Sequence, residues 1–144
     1  MTYSELVSTI KAACFKSAGS GTFAKGRRPD AGFASVNESM MPLMFMFYPE
    51  FSGSGRSNEI VRISMLFLKQ DDVNKLDEDR EAIQNEMKSL SDTFFINLIQ
   101  AIDTPGSTAQ YNNDKRVTIE DRILAGTFSG VGLSFTITTK AKQC

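Results

Sequence analysis

The residues of this 144-residue chain that could carry chemistry are few, and what is missing narrows the field first. Histidine is absent, which removes the usual general base near neutral pH and the commonest metal ligand, and with them most hydrolase triads and zinc sites. The segment Gly21-Thr22-Phe23-Ala24-Lys25-Gly26-Arg27-Arg28 approaches the phosphate-cradling pattern G-x-x-x-x-G-K-[ST], but Arg27 stands in place of the lysine and Arg28 in place of the metal-binding hydroxyl. It also follows a helical pattern, whereas that loop joins a strand to a helix. A small-ligand or nucleotide-binding domain using this segment is therefore only the rival reading. Between Asp71 and Glu81 six acids stand against Lys75 and Arg80, without the glycine and the closing bidentate glutamate of a calcium loop. Asp77 and Asp79 could pair for acid–base work, yet they lie in a charged, wet stretch with nothing to raise a carboxyl pKa. No catalytic group, cofactor or metal is expected, and the chain reads as a protein that is not an enzyme.

Composition agrees with that reading. Sixteen Lys and Arg against 17 Asp and Glu leave no global field for a polyanion, so neither sequence-specific nucleic-acid binding nor an anionic membrane surface is expected. The longest apolar run, Met40 to Tyr48, contains Pro42 and falls far short of the roughly 20 residues a spanning helix needs. Ser4 and Glu5 stand where a signal peptide would be basic and then apolar. The two cysteines, Cys14 and Cys144, lie at opposite ends and form no disulfide framework, which fits a reducing compartment. Cys14 is expected in the core and Cys144 on a mobile end.

The elements that must position these residues follow from periodicity. Thr2-Tyr3-Ser4-Glu5 is a capping box, and Tyr3, Leu6, Val7, Ile10 and Cys14 mark a short amphipathic helix ending near Lys16. Residues 17–39 form a long connection rich in Gly, Ser, Ala, Lys and Arg, with at most one short strand. Two apolar strands follow, around the polar tip Ser52 to Ser57. In the first, Leu43, Phe45, Phe47 and Phe51 share one face, and Met44, Met46 and Tyr48 share the other. In the second, Val61, Ile63, Met65 and Phe67 form a fully apolar face, while Ile60, Arg62, Ser64, Leu66 and Leu68 form one that is apolar only toward its end. Asp77 or Asp79 caps a long helix marked by Ile83, Met87, Leu90, Phe94, Leu98 and Ile102, which Thr104-Pro105-Gly106 stops. A loop insertion at 103–115 ends in the turn Asn112-Asn113-Asp114. Mixed strand character follows from Arg116 to Phe128, and the last strand alternates Val131, Leu133, Phe135 and Ile137 with polar positions. Ser129-Gly130 is either a hairpin turn or a bulge in one long strand. The fold class is α+β in a single domain, 1–144: an antiparallel or mixed sheet of about four to five strands with two helices packed on one face.

If the helices cover one face, the face carrying Met44, Met46 and Tyr48 is left for a partner. Met and aromatic residues serve cores, interfaces and ligand pockets alike, and core plus interface outweighs a pocket here. Lys16, Lys25, Arg27 and Arg28 form the one basic cluster, either a solvated loop or a subunit contact that the acids at Asp71 to Glu81, Asp77 and Asp79 among them, complement on a neighbouring copy. Arg62, on the mixed face of the second strand, joins these candidates. The free edge of the Glu59 to Leu68 strand is the other expected contact.

The order of these elements resembles the tail terminator, or tail-completion, proteins of long-tailed bacteriophages. The resemblance rests on Tyr3 to Lys16, the polar loop through Gly26-Arg27-Arg28-Pro29, the strand Pro42 to Met46, the strand Glu59 to Leu68, the helix Asp77 to Ala101 and the closing strand Gly132 to Thr138. It implies a homo-oligomeric ring, typically a hexamer, that caps the tail tube, contacts the tail tube protein and joins the head connector in the neck. It also implies a place in the virion after assembly in the host cytoplasm. Other neck or tail-tube structural proteins share similar plans. The longer Gly/Ser loop and the 103–115 insertion depart from the shortest members of the family.

Overall fold

The computed structural model describes residues 2–27, 41–53, 58–71, 77–102, 109–122 and 128–140. In chain order they form α1 (Tyr3–Ala18), β1 (Thr22–Gly26), β2 (Leu43–Phe47), β3 (Glu50–Gly53), β4 (Asn58–Gln70), α2 (Asp77–Ile102), β5 (Ala109–Tyr111), β6 (Arg116–Arg122) and β7 (Phe128–Lys140). The fold is α+β. α1 opens on the expected capping box: the Glu5 amide donates to Thr2 Oγ1 at 3.1 Å, and the Thr2 amide donates to Glu5 Oε2 at 2.9 Å. It runs past Lys16 because Gly19, at φ 74°, is the residue that takes the left-handed C-cap and donates to the Phe15 carbonyl at no side-chain cost.

The seven strands form one mixed sheet in the order β1-β2-β4-β7-β5, with β3 also pairing β4 and β6 also pairing β7. The β1–β2 pair is parallel and the others are antiparallel. The sheet thus exceeds the expected four to five strands. The additions are short edge strands: β1, β3 and β5 have five, four and three residues, too few for a period of two to stand out from the surrounding loops. β5 lies inside the stretch expected to be a loop insertion.

At the centre β4 pairs with β7 over the whole length of both strands. Ser129 and Gly130 belong to one long strand, and its unbroken register with β4 shows neither the hairpin turn nor the bulge. Gly130 faces Leu68, and a Cβ there would collide with the Phe67 carbonyl oxygen, so the close approach of β7 to β4 requires glycine. One cluster joins the inward stripes of the helices (Leu6, Ile10, Cys14, Ile83, Met87, Phe94, Leu98) to alternate residues of the central strands, Val61 to Phe67 and Val131 to Ile137. The Phe67 and Phe94 rings lie 5.2 Å apart within it. Cys14 is fully buried there, and burial pushes its thiol pKa up to about 12. Among the described residues no helix is long and apolar enough to cross a membrane.

The register decides the two faces of β2, and it reverses the expectation. Met44 and Met46 face Phe67 and Met65 and belong to the helix-side cluster, both 0% exposed. Leu43 and Phe45 face Leu68 and Leu66 and form a second cluster with Met41 and Phe128 on the opposite face. Both faces of this strand are therefore closed within the chain, and Met44 and Met46 are not partner-contact residues. The period of two separates the faces without saying which one the helices take.

Candidate interaction surface

The apolar segment changes character one residue after β2. From Met46 to Glu50 the chain takes four steps, while β4 takes three, from Met65 to Arg62. This extra residue is a bulge, centred on Phe47-Tyr48-Pro49, and it flips every later side chain to the other face. Pro49 suits the break because it has no amide proton to give a ladder. Phe51, expected beside Phe45 and Phe47, instead faces Val61 on the helix side and packs edge-on against Tyr3, ring centroids 6.4 Å apart. Tyr48 leaves the strand altogether. Its amide donates to the Gly26 carbonyl at 2.8 Å, which ties the bulge to the end of β1.

The result is an exposed corner at the edge of the sheet. Tyr48 is 52% exposed, Phe51 44% and Tyr3 38%, high values for three aromatic rings that lie together. The Lys25 ammonium sits 5.1 Å from the centre of the Tyr3 ring, a cation–π contact. Tyr3, Lys25, Tyr48, Pro49 and Phe51 line a groove of about 480 Å³. Tyr48 is also a wall of an adjoining groove of about 420 Å³, lined by Arg27, Phe47, Glu50, Arg62 and Ser64. On its floor Arg62 lies across the ladder from Glu50 on one side and Thr136 on the other. Thr136 is held by Asp114, whose carboxylate accepts from the Thr136 amide at 2.9 Å and from its hydroxyl at 2.6 Å. Partial burial alone would raise the Asp114 pKa, but those two hydrogen bonds and the charge of Arg62 outweigh it and hold the carboxyl below its usual range.

Of the residues expected to meet partners, Lys25 lies on the helix side with Tyr3 and Phe51, Arg27 and Arg62 line the adjoining groove, whose floor is the other face, and Tyr48 is the wall the two grooves share, although the four come from three separate stretches of sequence. Arg28 lies outside the described residues. Asp77 opens α2, and Asp79 follows it, exposed, near the opposite edge of the sheet. The acid-rich stretch is not a uniform patch. Asp71 is 2% exposed, its Oδ2 accepting from the Ser129 hydroxyl at 2.8 Å and from Arg80 Nε at 3.1 Å. It fastens the end of β4 to β7 and α2 and is not available to a neighbour. The other expected contact, a free edge of β4, does not exist, because β4 lies between β7 and the pair β2 and β3. The segment that approaches the phosphate-loop pattern is not a loop before a helix: Thr22–Gly26 is strand β1, laddered to β2.

Sequence reasoning missed Tyr3, Pro49, Glu50 and Phe51 at this surface. Tyr3 was indistinguishable from the buried stripe of its helix, and Phe51 was assigned by an unbroken period of two. The usable signal was Tyr48-Pro49, since a proline inside an apolar strand marks an edge or a bulge. Compared with known proteins, the chain matches no protein-family model and no curated protein.

Proposed function

We propose that this chain is a structural subunit that assembles into a ring, the tail terminator of a long-tailed bacteriophage, capping the tail tube and joining it to the head connector. In this reading both helices cover one face of the sheet. The sheet edge meets neighbouring subunits, and the loops reach the tube protein below and the connector above. The role is structural and uses no cofactor; its place is the neck of the virion, reached by assembly in the host cytoplasm.

The observation that supports it most is the Tyr48 corner. Three half-exposed aromatic rings beside Lys25, with Arg27 and Arg62 in the adjoining groove, have the composition of an interface centre, where Tyr, Phe and Arg are enriched. The order of elements, a capped helix before an apolar strand pair and a long helix before the closing strand, is a second support for it.

Sedimentation at micromolar concentration, followed by electron microscopy with and without tail-tube protein, tests it. Closed rings of one diameter are expected, seated on the ends of tubes. Monomers under both conditions would sink the reading, and open tubes of this chain alone would make it a tube protein instead.

A further inference from the structure

Among the described residues, β1 and β6 are edge strands on opposite sides of the sheet and the ends of the same rows. One row runs Phe23, Met44, Phe67, Val131, Ile119, and the next but one runs Lys25, Met46, Met65, Leu133, Val117. β1 is parallel to β2, and the direction reverses at β4, β7 and β6 in turn, so β6 runs opposite to β1. A second copy set alongside without inversion brings its β1 antiparallel to β6, the pairing with the straighter hydrogen bonds.

What the two edges present is complementary. The β1 edge leads into the aromatic corner, with exposed Lys25 and Arg27. The β6 edge carries Ile119, 59% exposed, followed by Glu120 and Asp121, and Asp121 lies 3.2 Å from Arg80 Nε between exposed Asp79 and Glu81 at the start of α2. One edge is a groove with Lys25, Arg27 and one acid, Glu50; the other projects Ile119 with Glu120 and Asp121 at the end of β6 away from Arg116. We infer that the Tyr48 corner of one copy receives the β6 edge of the next copy of this chain, with Ile119 against Tyr48 and Asp121 against Lys25. The inference rests on the ring reading and says how the ring is joined.

Charge also selects the register. Straight extension of the rows would put Lys25 opposite Val117 and Arg27 beside Lys115, and like charges facing across strands are unfavourable. Sliding the pair until Asp121 faces Lys25 keeps the two faces matched, since both residues lie on the helix side. It also brings Ile119 to Arg27 and Tyr48. Because the two surfaces differ and lie at opposite edges, the contact is head to tail, the kind that makes a ring when its rotation closes. Charges on both edges oppose indiscriminate strand pairing and favour the complementary partner.

Two variants test it: Lys25→Ser with Tyr48→Ser at the corner, and Ile119→Lys with Asp121→Lys at the edge. Each should be a monomer at concentrations where the wild type forms rings. Mixed in equal amounts they should give a one-to-one dimer and nothing larger, since each keeps the one surface the other lacks. Should charge reversal disturb the fold, seen as a lowered melting temperature, Tyr48→Ser and Ile119→Ser alone serve the same comparison. Either variant still forming rings, either dimerising by itself, or a mixture that stays monomeric overturns the inference and leaves the ring reading standing. A wild type that is monomeric with and without tube protein overturns both.

Discussion

Leu43 to Met46 and Tyr48 to Phe51 belong to one apolar segment, yet the first is buried on both faces and the second is exposed. Hydrophobicity does not distinguish them. The difference is that β2 lies between β1 and β4, with a core cluster on each face, while β3 is an edge strand displaced by a one-residue bulge. The same chemistry that closes the core in one half therefore remains as surface in the other. An apolar strand becomes exposed surface where its neighbours run out, and the bulge decides where that happens.

The comparison breaks or sharpens by mutation. The largest effect is expected from Phe45→Ala, which empties the second cluster and should cost about 3–5 kcal/mol of unfolding free energy, whereas Phe51→Ala should cost under about 1 kcal/mol. Chemical denaturation of the two variants decides, and equal losses would erase the distinction between the halves. Gly130→Ala should cost about 1–3 kcal/mol, because the strand must move off the Phe67 carbonyl; a melting temperature unchanged within error would mean that the β4–β7 approach is looser than described.

Smaller in free energy but sharp in readout is Cys14. With its pKa pushed up to about 12 by burial, the thiol should resist a disulfide exchange reagent at pH 8 in a Cys144→Ser background and react only after denaturation. Fast labelling of the native protein would show that the helix-side cluster opens. The smallest effect is the pH dependence at Asp114, whose folded pKa is lowered. Its stabilisation is full above the unfolded carboxyl value of about 3.9 and is lost as pH falls through the lower folded value. Wild type should therefore melt above Asp114→Asn at neutral pH, and the two should converge in strong acid; a gap that persists there would contradict the assignment.

Much of the framework is legible in the sequence. The Thr2–Glu5 box, the stripe from Ile83 to Ile102, and the alternation in β4 and β7 each repeat a local rule often enough to identify an element. The candidate surface was legible only as residue types. Lys25, Arg27, Tyr48 and Arg62 could be named as contact residues, but nothing local brings them together or adds Tyr3 and Phe51. Met44 and Met46 were misplaced because an apolar strand with two dry faces offers no polar residue to orient it. Asp71 looked like its exposed acidic neighbours, and only the positions of Ser129 and Arg80 reveal that it is a buried tie.

By itself the sequence determined the α+β class, the absence of histidine chemistry and the two-sided apolar character of β2, because these depend on composition and short-range period. The tertiary structure decided which face of β2 meets the helix-side core, which acids are free, and where the aromatic corner forms. Those outcomes depend on strand register, and register is set by long-range pairing: one extra residue at Phe47 to Pro49 turns Phe51 over and leaves Tyr48 in solvent.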